Sequence, residues 1–204
     1  MSSYLFSQVK ATAIAFNVAT DTLIFDSGSA ADVDVAVVGK NLVVRLGDQA
    51  VTLLNVRNLG NLSAANLAFA DGSVLLIGDG STGTAGDSAA NTLIGGAGND
   101  RLIGLGGNDT LDGGEGGDTY VVVGSNDGAD LYRDSGATGV DRIVAGANNA
   151  VIRLATGFSA ALTGIEAIAA DGHSGVKILG GNGADVLDFS GMSLTGLSQI
   201  DAAG

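Results

Sequence analysis

The sequence predicts an all-β chain: an N-terminal antiparallel β module over residues 1–77, then a parallel β-solenoid of short stacked strands over 78–204. Three observations lead there. Before residue 78, apolar and polar residues alternate with period two, the spacing of a strand with one buried face. Residues 95–121 then repeat with period nine, which reads as stacked coils, each too thin to hold a core alone. The chain also has 34 glycines and no proline, so its many turns fall to Gly, Asn and Asp.

Within the first stretch, DVDVAVV (32–38) places Val33, Val35 and Val37 on one face. After Gly39-Lys40-Asn41, LVVRL (42–46) does the same with Leu42, Val44 and Leu46, and AVTLLNV (50–56) follows Gly47-Asp48. Apolar runs broken by such short turn sequences read as hairpin strands. Thr22–Phe25, Asn66–Phe69 and Ser73–Ile77 are further strand candidates. A solenoid exposes an unpaired strand edge at its first coil unless something covers it. The module is therefore expected to pack end-on, as a cap.

The period-nine stretch reads GGAGNDRLI, GLGGNDTLD, GGEGGDTYV. Position one is Gly95, Gly104 and Gly113; position six is Asp100, Asp109 and Asp118; position eight is Leu102, Leu111 and Tyr120. Six residues form a tight turn in which glycine supplies positive φ and lets backbone come close to an ion. The next three form a short strand with one large side chain facing the core. Each turn offers a carboxylate and several carbonyls, the hard oxygen donors that suit Ca²⁺. A flexible glycine linker would have no reason to repeat Asp and Leu in phase. One unit earlier, GDSAANTLI (86–94) keeps the register with Gly86, Asn91 and Leu93; one unit later, position six falls on Asp127.

These units resemble the haemolysin-type calcium-binding repeats of the RTX family. The resemblance implies a right-handed parallel β-roll with two nonapeptides per coil. It also implies Ca²⁺, two ions or more, between loops one coil apart, held by position-six aspartates and loop carbonyls. The ligand candidates are Gly95, Ala97, Gly98 and Asp100; Gly104, Gly106, Gly107 and Asp109; and Gly113, Glu115, Gly116 and Asp118. Residues 18 apart would face each other, which pairs Asp100 with Asp118, Asp109 with Asp127, and Asn91 with Asp109. Position eight after Asp127 is Ala129, too small for a roll core, so the regular roll is expected to stop or change shape there.

Residues 128–179 carry short apolar pieces, DRIVA (141–145), AVIRL (150–154), GIEAIAA (164–170) and VKIL (176–179), consistent with looser coils. GGNGADVLD (180–188) is one more nonapeptide, with Asp185 at position six as a further metal candidate but no carboxylate one coil away. The run SLTGLSQIDAAG (193–204) stops in mid-rhythm, and a longer natural protein is expected to continue beyond Gly204.

Composition removes several function classes. The net charge of −13, from 22 acidic and 9 basic residues, argues against a nucleic-acid partner and against docking on anionic lipid. No cysteine is present, so there is no disulfide framework, and bound metal becomes the expected staple. No apolar run is long enough for a transmembrane helix, and nothing near Met1 reads as a cleaved signal peptide. The lone histidine, His173, lies in GHSG, which supports neither a zinc-protease motif nor a nucleophile elbow. GDGSTG (78–83) matches a dinucleotide fingerprint, but no apolar helical face follows it. The chain is accordingly expected not to be an enzyme. The resemblance implies a protein exported from a Gram-negative bacterium by type I secretion to the extracellular space or cell surface. It would serve there as a structural or adhesive module of a surface layer, biofilm matrix or adhesin, with calcium, itself or other surface components as partners. The alternative is a non-catalytic carrier segment of a secreted lipase, protease or polysaccharide-modifying enzyme.

Overall fold

Turn glycines and short apolar triplets decide most of the architecture. The computed structural model describes residues 1–9, 12–57, 62–78, 89–181 and 185–202. Beyond Gly78, the GDGSTG run and Gly86 lie outside the described residues. The described chain is nearly all β, with one four-residue helix at Ala160–Thr163. No described helix is long and apolar enough to cross a membrane.

The first strands are β1 (Ser3–Leu5), β2 (Ala13–Ala15), β3 (Thr22–Phe25), β4 (Val33–Val38), β5 (Asn41–Leu46), β6 (Gln49–Leu54) and β7 (Leu67–Phe69). The expected antiparallel character holds only for β4–β5–β6. Two-residue links close those hairpins, and Gly39 and Gly47 supply the positive φ that such tight turns require. Elsewhere the first 77 residues pair in parallel: β1 with β3, β3 with β7, and β2 with β6. The longer connections there carry the chain across to a second sheet before it returns, and a returning strand then runs in the same direction as its neighbour.

From residue 75 the chain alternates between sheets. The strands are β8 (Leu75–Ile77), β9 (Thr92–Ala97), β10 (Arg101–Ile103), β11 (Thr110–Glu115), β12 (Thr119–Val122), β13 (Leu131–Arg133), β14 (Arg142–Ala145), β15 (Val151–Arg153), β16 (Ala167–Ala169), β17 (Lys177–Leu179), β18 (Ser193–Thr195) and β19 (Gln199–Asp201). The even-numbered strands form one six-stranded sheet, in the order β8-β10-β12-β14-β16-β18. The odd-numbered ones form two three-stranded sheets, β9-β11-β13 and β15-β17-β19, joined by a bridge between Asp130 and Leu154. Every pairing in these sheets is parallel. Strand alternation continues through β19, so the expected change after Ala129 is one of loop length and not an end to the stacking.

The six-stranded sheet buries both faces from β8 to β14, while the outer face of β18 is exposed. Leu102, Tyr120, Ile143 and Ile168 point inward, into a core shared with Leu111, Tyr132, Ile152 and Ile178 from the opposing sheets. Their neighbours Ile103, Val121 and Val144, with Leu75, point outward into a second core built around Phe6, Phe25, Phe69, Leu23 and Val44. Phe25 stacks between Phe6 and Phe69, with ring centroids 4.6 Å away on either side. A parallel sheet covered on both faces needs consecutive apolar residues, and Leu102-Ile103, Tyr120-Val121-Val122 and Ile143-Val144 supply them. The N-terminal unit therefore lies along the outer face of this sheet, and its last strand, β8, covers the edge of β10 at the end of the sheet. Polar contacts fix the unit there: Ala31 N–H donates to Asn99 O at 3.0 Å. The buried Arg101 donates to Ala31 O and pairs with Asp34 at 3.5 Å.

Ile143 is fully buried in the inner core. Ile143→Ala is expected to cost about 2–5 kcal/mol, from lost transfer energy plus the cavity left behind. Urea unfolding of parent and variant at saturating calcium checks this, and a loss under about 1 kcal/mol would contradict the packing described.

Candidate metal centre

The nine-residue turns are built around a contact between positions one and six. A Cβ added at Gly95 would meet Asp100 Oδ2; at Gly104 it would meet Asp109 Oδ2, and at Gly113 Asp118 Oδ2. Only glycine leaves room for the carboxylate to fold back over its own turn. Position four is under a second constraint. Gly98, Gly107 and Gly116 all have positive φ, and a Cβ at Gly107 or Gly116 would run into the carbonyl of Ala89 or Gly98, one coil back. The loops thus stack with backbone against backbone.

Stacking places the acids in two ladders. On the side that leads into the six-stranded sheet, Val74 N–H donates to Asp100 Oδ1 at 2.7 Å and Asp100 N–H to Asp118 Oδ1 at 2.7 Å. Asp118 N–H donates to Asp141 Oδ1 at 2.6 Å, and Asp141 N–H to Glu166 Oε2 at 2.7 Å. On the opposite side, Asn91 N–H donates to Asp109 Oδ1 at 2.7 Å and Asp109 N–H to Asp130 Oδ1 at 3.0 Å. Each rung ties one coil to the next.

The pairing of Asp100 with Asp118, 18 residues apart, is therefore observed. That of Asp109 with Asp127 is not. Asp109 meets Asp130, 21 residues on, while Asp127 caps a local turn by accepting from Val123 N–H and Gly124 N–H. The loop after β12 is three residues longer than a regular one, which moves the facing acid from 127 to 130. Tyr132 then takes the large apolar place, two residues after the acid, that Ala129 could not fill. Asn91 stands opposite Asp109 through its backbone N–H, and its side-chain amide donates to Ala89 O at 2.8 Å. Asp185 accepts from Gly181 N–H within its own turn. Glu115 is exposed; its Oε2 accepts from Thr138 and its carbonyl from Gly98 N–H. Ala97 lies opposite Glu115 in the β9–β11 register, and Gly106 lies in the turn between β10 and β11.

Five functional positions escaped the sequence reading. Asp130, Asp141 and Glu166 continue the ladders, and each precedes a large apolar residue by two, as Asp100, Asp109 and Asp118 do. An acid-x-apolar pattern with free spacing would have found them. Asn99 and Asn108, both at position five, link neighbouring loops by accepting from Gly117 N–H at 2.7 Å and Ala129 N–H at 2.9 Å.

The electrostatics favour a cation. Asp100 and Asp118 are fully buried, and the Oδ2 of each has no hydrogen-bond partner. Burial pushes both carboxyls up to about 6, against the pull of a backbone N–H, and each is raised further by other carboxylates nearby. Asp130 and Asp141 are pushed up to about 7 by the same two causes. Leaving an ionised oxygen dry and unpaired is costly. A hard ion with oxygen ligands removes that cost, and the donors present, carboxylates and loop carbonyls, suit Ca²⁺ and not a soft metal. Asp100, Asp118, Asp109, Asp130 and the adjoining loop carbonyls are the residues that would hold it.

Comparison with known families agrees with this geometry. Residues 85–120 match the model of the RTX calcium-binding nonapeptide repeat, in four copies. Over this segment the chain carries RTX calcium-binding nonapeptide repeats. No curated protein and no solved structure matches the chain significantly. RTX repeats bind calcium, so the segment that holds Asp100, Asp109 and Asp118 is a calcium-binding one.

A pH dependence follows. The buried acids have folded-state values near 6 and 7, above the ordinary 3.8. The folded chain therefore holds more protons than the unfolded chain between about pH 4 and 7. Stability from this source is complete below about 4 and is lost as pH rises through 6 to 7. In EDTA, the melting temperature is expected to fall between pH 5 and pH 8, and calcium is expected to offset the fall because the ion favours the ionised form. Calorimetry across that range checks the sign; a rise in EDTA would contradict it.

Proposed function

We propose that the chain is a non-catalytic, calcium-dependent extracellular module whose residues 75–201 form a right-handed parallel β-roll that orders when calcium binds. The observation that carries this reading is the pair of carboxylate ladders. Buried acids stand in register along a glycine-built stack, and the oxygens of Asp100 and Asp118 that face no donor await a cation. Two or more ions are proposed, one set on each side of the stack.

Without metal, the acids repel one another in a poorly solvated line and the glycine loops keep high conformational entropy. Extracellular calcium modules bind at about 10⁻⁴–10⁻³ M. At about 1 mM calcium and a dissociation constant of about 0.1 mM, linkage contributes about 1.4 kcal/mol per site. A few such sites are enough to decide whether a thin roll is folded. The chain would then stay loose in a calcium-poor cytosol and fold after export, which fits a repeat type found in secreted bacterial proteins. A Gram-negative source and type I secretion belong to this proposal.

A structural or adhesive role at the cell surface follows from the shape of the chemistry. The described residues carry one histidine, in a turn, and the buried acids are occupied in holding coils together. At the far end, β18 and β19 each have a described partner on one side only, and Val186 and Ile200 are exposed. Uncovered strand edges favour association with a second copy or another surface component.

The reading is tested by melting the full chain in EDTA and in millimolar calcium. A calcium-dependent rise of several degrees is expected in the parent. Asp109→Ala should remove more of that rise than Asp185→Ala, because Asp109 is buried between Asn91 and Asp130, while Asp185 accepts from Gly181 N–H within its own turn. A parent indifferent to calcium, or the reverse ranking, would overturn the proposal.

A further inference from the structure

At the boundary between the regular and the irregular coils, Asp118 and Asp141 of the ladder come together with a third carboxylate, Asp134. Asp118 belongs to the last regular nonapeptide. Asp134 and Asp141 are the two ends of the loop that joins β13 to β14, and both lie past the matched segment. One oxygen from each lies within 4.8 Å of the other two. Oxygens on opposite sides of one Ca²⁺ are about 4.6–5.2 Å apart at the usual bond lengths, so the three fit around a single ion.

Proximity of acids alone would not make a site, and here a second observation points to a ligand. Asp118 is fully buried, its Oδ1 already accepts from Asp100 N–H, and its Oδ2 has no hydrogen-bond partner. The other two are held firmly. Asp141 is 2% exposed; its Oδ1 accepts from Asp118 N–H and its own N–H donates to Glu166. Asp134 is anchored by its N–H to Thr163 O at 2.6 Å and by its Oδ1, which accepts from Gly136 N–H at 2.9 Å. Gly164, in the left-handed conformation, packs against the Asp134 side chain where a Cβ would crowd it. The neighbouring cations are turned elsewhere: Arg133 pairs with Asp112 at 3.5 Å and Arg142 Nε donates to Thr119 Oγ1 at 3.1 Å.

We propose that Asp118, Asp134 and Asp141 form an additional calcium site that staples the last nonapeptide to the first irregular coil. It rests on the calcium reading above and extends it to a position outside the nonapeptide pattern, since no repeat register places an acid at 134. A cation there ties the loop 134–141 to the regular stack. The calcium-ordered unit therefore reaches β14 and does not end with the repeats.

The test counts bound ions on the full chain by native mass spectrometry, using calcium alone as the probe. Asp134→Asn keeps an oxygen for Gly136 N–H and removes the charge; it is expected to bind one ion fewer than the parent. Asp112→Asn removes an equal charge nearby and keeps the oxygen that accepts from Ser135 N–H at 3.0 Å; it is expected to bind as many ions as the parent. Hydrogen exchange on the parent supplies an independent readout: calcium should slow exchange in 134–141. An unchanged ion count in Asp134→Asn, loss of the same ion in Asp112→Asn, or no slowing in that loop overturns the site while leaving calcium binding by the repeats intact. A parent that binds no calcium at all overturns both.

Discussion

A backbone N–H donated to a carboxylate one coil further on is the interaction on which the rest of this structure depends. It recurs from Val74 through Asp100, Asp118 and Asp141 to Glu166, and again from Asn91 through Asp109 to Asp130. The strands it aligns are mostly three to six residues long, too short to define a register by their own ladders. Side chains placed in the turns do that work. They carry charge into a dry environment to do it, and the folded chain therefore needs protons or a cation before the stack is at ease. Structural role and metal requirement are the same feature seen from two sides.

Glycine makes the ladders possible at two positions for two different reasons. At position one it yields space to the returning carboxylate, and at position four it lets one loop lie directly on the carbonyl of the next. Within residues 95–121 neither role leaves room for a Cβ at Gly95, Gly104, Gly113, Gly107 or Gly116, which explains why both positions repeat there while position two does not. The large residue at position eight completes the unit by filling the core. Where the chain outgrows the nine-residue rhythm, Tyr132 and Ile143 keep that place, and Tyr120 and Tyr132 meet edge-on at 5.8 Å.

The N-terminal unit and the stack share one sheet between two cores. Consecutive residues have opposite duties there. Leu102 fills the inner core and Ile103 the outer one, while Asp100 serves the ladder and Arg101 holds Ala31 and Asp34 of the N-terminal unit. Ordering of the turn at Asp100 and docking of the first 77 residues are thus coupled within four residues of chain. The six-stranded sheet gains cover on its outer face from this arrangement, and an exposed apolar face is avoided.

Much of the centre was legible in residues 95–121, because a tight turn that needs glycine, a carboxylate and then one large apolar side chain is a local demand written into each unit. The all-β character and the hairpins at Gly39 and Gly47 were legible for the same reason. Other features depend on distance in space. Whether Asp109 faces Asp127 or Asp130 is decided by the length of the loop after β12, which matters only once β11 and β13 are in register. Parallel pairing in the first 77 residues, and their docking along a face as well as at the end of the sheet, depend on which strands return side by side. The nearness of Asp134 to Asp118 and Asp141 depends on how one irregular loop closes. By itself the sequence determined the repeating turn, its acids and its glycines. Only the tertiary structure decided which acids meet, because the ladders join residues 18 to 26 apart, and those separations vary with loop lengths that no local rule sets.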